Sequence, residues 1–87
     1  MEVRIINKDT HFLGDFDSGQ CFLTAASKDK MDAGETPIIF MKTSQRRQDS
    51  DDFAIAINGD LAGAIYQFHF KTTVFPVEIS LIEVKVP

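Results

Sequence analysis

Short runs of β-branched and aromatic residues, each bounded by turn-forming residues, recur along the chain and limit the folds that it can adopt. Residues 53–57 alternate large and small side chains, and Asn58 and Gly59 follow them directly. Both of these residues tolerate positive φ, so the pair predicts a tight β-hairpin. No window of a dozen residues keeps apolar positions at helical spacing behind a capping residue. The pattern therefore predicts an all-β chain.

Five or six strands follow from this pattern, with polar connections between them. They are predicted at residues 2–7, 21–25, 37–43, 53–57, 63–70 and 74–86. Segments 26–36 and 44–52 are strongly polar and predict exposed loops, the first with one helical turn that Ser27 would cap. Gly63 predicts a bulge or a close backbone approach. Strands at this spacing favour a small SH3-like barrel that occupies residues 1–87 as one domain, with an OB-like barrel or a small β-sandwich as alternatives.

The composition supports a globular domain without covalent staples. The chain is 44% hydrophobic and contains eight phenylalanines, which suffices for one core. Phe12, Leu13 and Phe16 are expected to tuck under the barrel. Cys21 is the only cysteine, which excludes an intrachain disulfide and a multi-cysteine zinc site. The sequence begins without a signal-peptide pattern, and no apolar run reaches the ~20 residues that span a bilayer, so we expect a cytoplasmic protein without membrane contact.

The charge pattern disfavours nucleic acid as a partner. The net charge is −4, and Arg46 and Arg47 are the only adjacent cations. Nucleic-acid binders gain affinity from clustered cations that release counterions. An acidic surface mildly favours a basic protein partner instead.

A series of short motifs is similar to a known group of proteins. They are Phe16, Gly19 and Phe22, then residues 40–43, 54–59, 66–68 and 73–78. In this order they resemble a class of small, mostly uncharacterised tailed-phage proteins, and the resemblance covers residues 12–79. It implies a compact SH3-like β-barrel and a phage origin, with the cytoplasm of the host cell as the location. It implies no activity and no functional residues.

The chemistry-bearing residues form no catalytic, cofactor-binding or metal-binding motif. His11 and His69 lie far apart in sequence, and no Cys-His signature surrounds Cys21. The acidic clusters are Asp15 and Asp17, and Asp49, Asp51 and Asp52. They lack the spacing of an EF-hand and are typical of turns. We therefore predict neither an enzyme nor a bound cofactor.

Partner contacts are predicted on the two polar loops, because loops held on a rigid scaffold concentrate binding residues. The predicted partner-binding residues are Arg46, Arg47, Asp49, Asp51, Asp52, Lys28 and Lys30. Tyr66, Phe68 and Phe70 share one strand face at two-residue spacing. The favoured interpretation of this face is a core wall, and the alternative is a platform on which bases stack.

Three functions stand as hypotheses at this point. The favoured one is a phage-type accessory protein, a protein–protein interaction module that binds and inhibits a host factor through an exposed loop or a free strand edge. The second is a single-stranded nucleic-acid-binding OB-like protein with Tyr66, Phe68, Arg46 and Arg47 as contacts. The third is a minor virion component or a homo-oligomeric building block.

Overall fold

The computed structural model describes residues 2–5, 9–43 and 49–80, and within them seven strands form one antiparallel sheet. The strands are β1 Glu2–Ile5, β2 His11–Phe12, β3 Cys21–Leu23, β4 Phe40–Lys42, β5 Asp51–Ala56, β6 Ile65–His69 and β7 Thr73–Ser80. A 3₁₀ helix spans Leu13–Asp15, and the α-helix α1 spans Ala25–Asp32. The all-β prediction is confirmed. No helix among the described residues has the length and apolarity to cross a membrane.

The strand order is β1-β7-β3-β4-β5-β6, with β2 pairing the start of β7. The last described strand, β7, therefore lies between β1 and β3, while β3 to β6 follow one another as a meander. Within the described residues β6 pairs only with β5, and no pairing joins it to β1. The predicted SH3-like closure of the sheet stays a prediction.

Two apolar clusters lie on the opposite faces of the sheet. The inner cluster consists of Leu13, Phe16, Phe22, Phe40, Ala54, Ala56 and Val74. The outer cluster consists of Leu23, Ile39 and Val77, against which Met31 of α1 packs. Adjacent residues of one strand enter different clusters because side chains alternate across a sheet. The prediction that Phe12 tucks under the sheet is wrong, since it is 48% exposed, whereas Leu13 and Phe16 are buried.

The small residues of β5 face inward. Ala54 and Ala56 are fully buried, while Phe53 and Ile55 are half-buried on the other face. Neighbouring strands supply the bulk: Phe40 lies opposite Ala56, and Tyr66 lies opposite Ala54. The two aromatic rings meet edge to face with their centroids 5.2 Å apart. Alanines are therefore needed on this strand to leave room for the rings.

Segment 26–36 was predicted as an exposed loop with one helical turn. Most of it is exposed, but the loop assignment is wrong for residues 26–32, which belong to α1. Thr24 caps the helix by accepting a hydrogen bond from the Ser27 amide at 3.2 Å. Ser27, the predicted cap, is instead buried in the first turn. Lys28 and Asp32 form an ion pair at 2.6 Å one turn apart. The helix lacks an apolar periodicity because only its Met31 side chain packs on the outer cluster.

The Asn58-Gly59 hairpin is wider than predicted. β5 and β6 are joined by residues 57–64, and the last backbone bond of the pair runs from Gly63 N–H to Ala56 O at 2.7 Å. Gly63 has φ +93°, which fits the predicted bulge, whereas the alternative of a close backbone approach is wrong, because a Cβ at this position would meet no atom within 4 Å. The Asn58 side chain is diverted: its Oδ1 accepts from Ile39 N–H at 2.7 Å, and its Nδ2 donates to Pro37 O at 2.9 Å. Ile57 N–H still donates to Ile39 O at 2.9 Å, so the Asn58 side chain takes over only the bond from Ile39 N–H in the pair that precedes β4.

Replacing Asn58 with alanine should lower the free energy of unfolding by about 1–3 kcal/mol, because Ile39 N–H and Pro37 O lose their partners. Urea denaturation followed by circular dichroism measures this loss. Asp60→Ala, in the same turn but exposed, is the matched control and should change stability by less than about 0.5 kcal/mol. Equal losses in the two variants would contradict the role of the Asn58 side chain.

Candidate protein-interaction surface

A row of apolar side chains crosses the outer face of the sheet. The strand register places Cys21 beside Met41, Met41 beside Ile55, and Ile55 beside Ile65. We call these four residues the outer strip. At its β3 end Cys21 packs with the outer cluster, beside α1. At its β6 end Ile65 is 61% exposed, so the strip runs from the covered part of the sheet to its open edge.

The strand at that edge, β6, presents backbone groups to the outside. Ala56 N–H donates to Ala64 O at 3.1 Å, and Phe70 N–H donates to Ser50 O at 2.9 Å. Bonded positions alternate along an antiparallel pair, so Tyr66 and Phe68 direct their backbone groups towards β5. Ile65, Gln67 and His69 consequently direct theirs away from the sheet. Among the described residues only His69 O has a backbone partner, Thr72 N–H at 2.9 Å.

β6 also lacks the features that usually protect an edge strand. Its five residues include no Lys, Arg, Asp, Glu or Pro. Natural edge strands are commonly blunted by such residues, because an open edge otherwise pairs with another chain. β1, at the other end of the strand order, carries the exposed Arg4. The less protected edge of the sheet is therefore β6.

The aromatic residues of β6 face the inner cluster. Tyr66 and Phe68 are half-buried, and their centroids lie 5.2 and 5.3 Å from that of Phe40. The interpretation of this face as a core wall is confirmed for these two residues. It is wrong for Phe70, which follows the end of β6 and stacks on His69 at 4.8 Å.

Asp52 was predicted in an exposed partner-binding loop, and this placement is wrong. It lies in β5, is 4% exposed, and faces Lys42 with Oδ2 3.6 Å from the ammonium nitrogen. Lys42 also donates to Phe16 O at 2.7 Å and to Leu13 O at 3.2 Å, at the 3₁₀ helix. The alternation of side chains along β5 could have indicated this burial, because Asp52 lies two residues before the buried Ala54 and faces the same side of the sheet.

The other predicted partner-binding residues lie on different elements. Asp49 is exposed in the turn before β5 with φ 55°, and Asp51 is half-buried at the start of that strand. In α1, Lys30 is exposed, while Lys28 pairs with Asp32 and lies over the Phe75 ring at 5.7 Å. Arg46 and Arg47 lie outside the described residues. Partner binding by these residues stays a prediction.

The potential nucleophile and the histidines lie apart. Burial raises the pKa of the Cys21 thiol, so the thiol stays protonated at neutral pH. His11 lies in β2 and His69 in β6, and both are exposed. Across residues 2–5, 9–43 and 49–80 no group of three or more His, Cys, Asp or Glu side chains is arranged to hold a metal ion.

One groove lies away from the outer strip. It has a volume of about 500 Å³ and is lined by Ile5, Lys28, Asp29, Asp32 and Phe75, between β1, α1 and β7. The side chains that line this groove already contact each other, because Lys28 forms an ion pair with Asp32 and lies over the Phe75 ring. No family model, curated protein or solved structure matches this chain. The outer strip with β6 is the feature that presents an exposed apolar side chain, Ile65, and outward backbone groups together.

Proposed function

We propose that this protein is a protein–protein interaction module that binds a partner protein through the outer strip. The observation that carries the proposal is Ile65, 61% exposed at the open end of an apolar row. The resemblance to small tailed-phage proteins supports a phage-encoded accessory factor, whose partner is then a host protein that it blocks or redirects.

The energetics favour Ile65 as the central contact. Met41 and Ile55 are half-buried, so they supply a flat apolar base beside it. Covering the exposed part of Ile65 contributes on the order of 1–2 kcal/mol, at about 25 cal/mol per Å² of apolar surface. Contacts of this size, surrounded by a polar rim, are typical of the centre of a protein interface.

The nucleic-acid hypothesis loses support from the same strand. Tyr66 and Phe68, its stacking residues, pack their rings against Phe40 and Phe22 in the inner cluster. Bases would need those ring faces. A partner protein needs only the outer face, which these rings do not occupy.

Site-specific photo-cross-linking tests this proposal. A photoreactive amino acid is placed at position 65, at position 30 on α1, or at position 49 in the turn before β5, and each variant is exposed to bacterial lysate. We expect one protein to cross-link from position 65, and we expect the purified form of that protein to bind the unmodified chain directly. Cross-links from position 30 or 49 alone would move binding to the predicted loops and overturn the outer strip.

Binding to the purified partner should then depend on Ile65. Ile65→Ser should weaken binding by about 5- to 30-fold, because the strip loses its exposed apolar end. Gln67→Ser is the matched control, since Gln67 is exposed on the same face of the same strand, and it should change affinity by less than about 3-fold. Isothermal titration calorimetry measures both values. Equal affinities for the two variants would contradict the proposal.

A further inference from the structure

We infer that two copies of this chain pair through their β6 strands, antiparallel about Gln67, into a dimer with one continuous sheet. This inference goes beyond the proposed function and does not rest on it. Within the described residues β6 is an edge strand, and the second copy of the chain is its occupant. The register of β6, the pairing of its side chains and the charges at its ends all support this choice.

The outward backbone groups of β6 are arranged symmetrically about Gln67, so they could pair with a second copy across a twofold axis at this residue. Ile65, Gln67 and His69 direct these groups away from β5, and Gln67 is the middle residue of the strand. A twofold axis there sets Gln67 opposite its own copy and Ile65 opposite His69 of the second copy. Gln67 and Ile65 then offer both backbone groups to an antiparallel ladder, and His69 offers its N–H, since its carbonyl already accepts from Thr72 N–H at 2.9 Å. A shift by two residues would leave one end of the strand opposite a turn.

The side chains of β6 are compatible with their own copies in this register. On the inner face Tyr66 lies opposite Phe68 of the second copy, at the closely spaced type of position. Aromatic cross-strand pairs are favourable, and here they join the aromatic rows of the two inner clusters. On the outer face Ile65 meets His69 of the second copy. No charged residue lies in the strand, so no like charges oppose each other.

Opposite charges flank the strand. Lys71 follows β6, and Asp60 lies in the turn that precedes it, both exposed. In the twofold register Lys71 lies opposite Gly63 of the second copy, next to the turn that contains Asp60. Symmetry repeats this approach at the other end. The pairing therefore brings a cation towards the turn that carries an anion twice.

Dimerisation would also present the outer strip twice. An in-plane antiparallel pair has its twofold axis perpendicular to the sheet, so the two outer faces point to the same side. Two strips on one face allow a partner with two sites to bind with avidity. The dimer is thus a second property of β6 that strip binding does not require.

Sedimentation equilibrium with the purified chain tests the dimer. At about 100 µM we expect the unmodified protein to be dimeric, which corresponds to a dissociation constant near or below that concentration. Gln67→Pro removes an N–H that points away from β5, and proline is tolerated on an edge strand. It should weaken dimerisation by about 10- to 100-fold, because the central pair of hydrogen bonds is lost. Gln67→Thr keeps the N–H and should leave the dimer unchanged.

If Gln67→Pro disturbs folding, exchanging the charges at the two ends of β6 still tests the dimer. Lys71→Asp and Asp60→Lys should each weaken the dimer by about 2- to 10-fold, and the double variant should restore it. A monomeric unmodified protein at about 100 µM would overturn the inference. So would a dimer that Gln67→Pro and both charge variants leave unchanged. Loss of the dimer in folded Gln67→Pro, with retained binding of the cross-linked partner, would support both proposals separately.

Discussion

Replacing Lys42 with methionine should lower the free energy of unfolding by about 3–5 kcal/mol, because the buried Asp52 carboxylate loses the ammonium group that lies beside it. The Lys42 and Asp52 side chains are 13% and 5% exposed, so water replaces little of the lost interaction. The 3₁₀ helix also loses the ammonium that binds the Leu13 and Phe16 carbonyls. Urea denaturation followed by circular dichroism measures the change.

Two further variants separate the ion pair from general effects of losing a lysine. Lys30→Met removes an exposed lysine of α1 and should change stability by less than about 0.5 kcal/mol. Lys42→Met combined with Asp52→Leu removes both charges and should be more stable than Lys42→Met alone, by at least about 1 kcal/mol. A double variant as unstable as the sum of its parts would show that the two charges act independently.

The second large effect is expected at Phe22. Phe22→Ala should cost about 3–5 kcal/mol, through lost apolar burial and the cavity that remains. Its ring is fully buried, and its centroid lies 5.9 Å from that of Phe16, 5.7 Å from that of Phe40 and 6.0 Å from that of Phe68. A domain of this size has a total stability of about 4–13 kcal/mol, so the variant should be close to unfolding at room temperature.

Thermal unfolding of Phe22→Ala beside Phe12→Ala checks this expectation. Phe12 is 48% exposed, so the same truncation there should lower the melting temperature by less than half as much. A similar decrease in both variants would indicate that the inner cluster is not the centre of the core. The comparison keeps the residue type constant and changes only its burial.

The outer strip and the β6 edge differ from the core in their effect on the stability of the monomer. A partly exposed apolar row that ends at an uncharged edge strand contributes little to the stability of the monomer and exposes it to unwanted pairing. Lys42 and Asp52 lie on the inner face of the neighbouring strands and stabilise the sheet beneath this surface. Variants of β6 and variants of the ion pair should therefore separate binding from folding.

Local patterns predicted part of the candidate surface. The sequence indicated a strand around residues 65–69 and gave a free strand edge as one mode of binding. It did not indicate which strand would be at the edge, because β7 enters the sheet between β1 and β3 and so leaves β6 at the end of the strand order. The pairing of β1 with β7 joins residues from distant parts of the chain, so short-range periodicity cannot predict it.

By itself the sequence determined the all-β class and the shared face of Ala54 and Ala56, and it placed a bulge or a close approach at Gly63. These follow from side-chain alternation and backbone sterics, which act within a few residues. Only the tertiary structure decided the burial of Asp52, the diversion of Asn58 to Pro37 and Ile39, and the helix behind Thr24. In the first two cases a polar group takes a partner that the fold supplies, Lys42 from the next strand and backbone groups about twenty residues away. In the third the fold supplies the outer cluster on which Met31 of α1 packs.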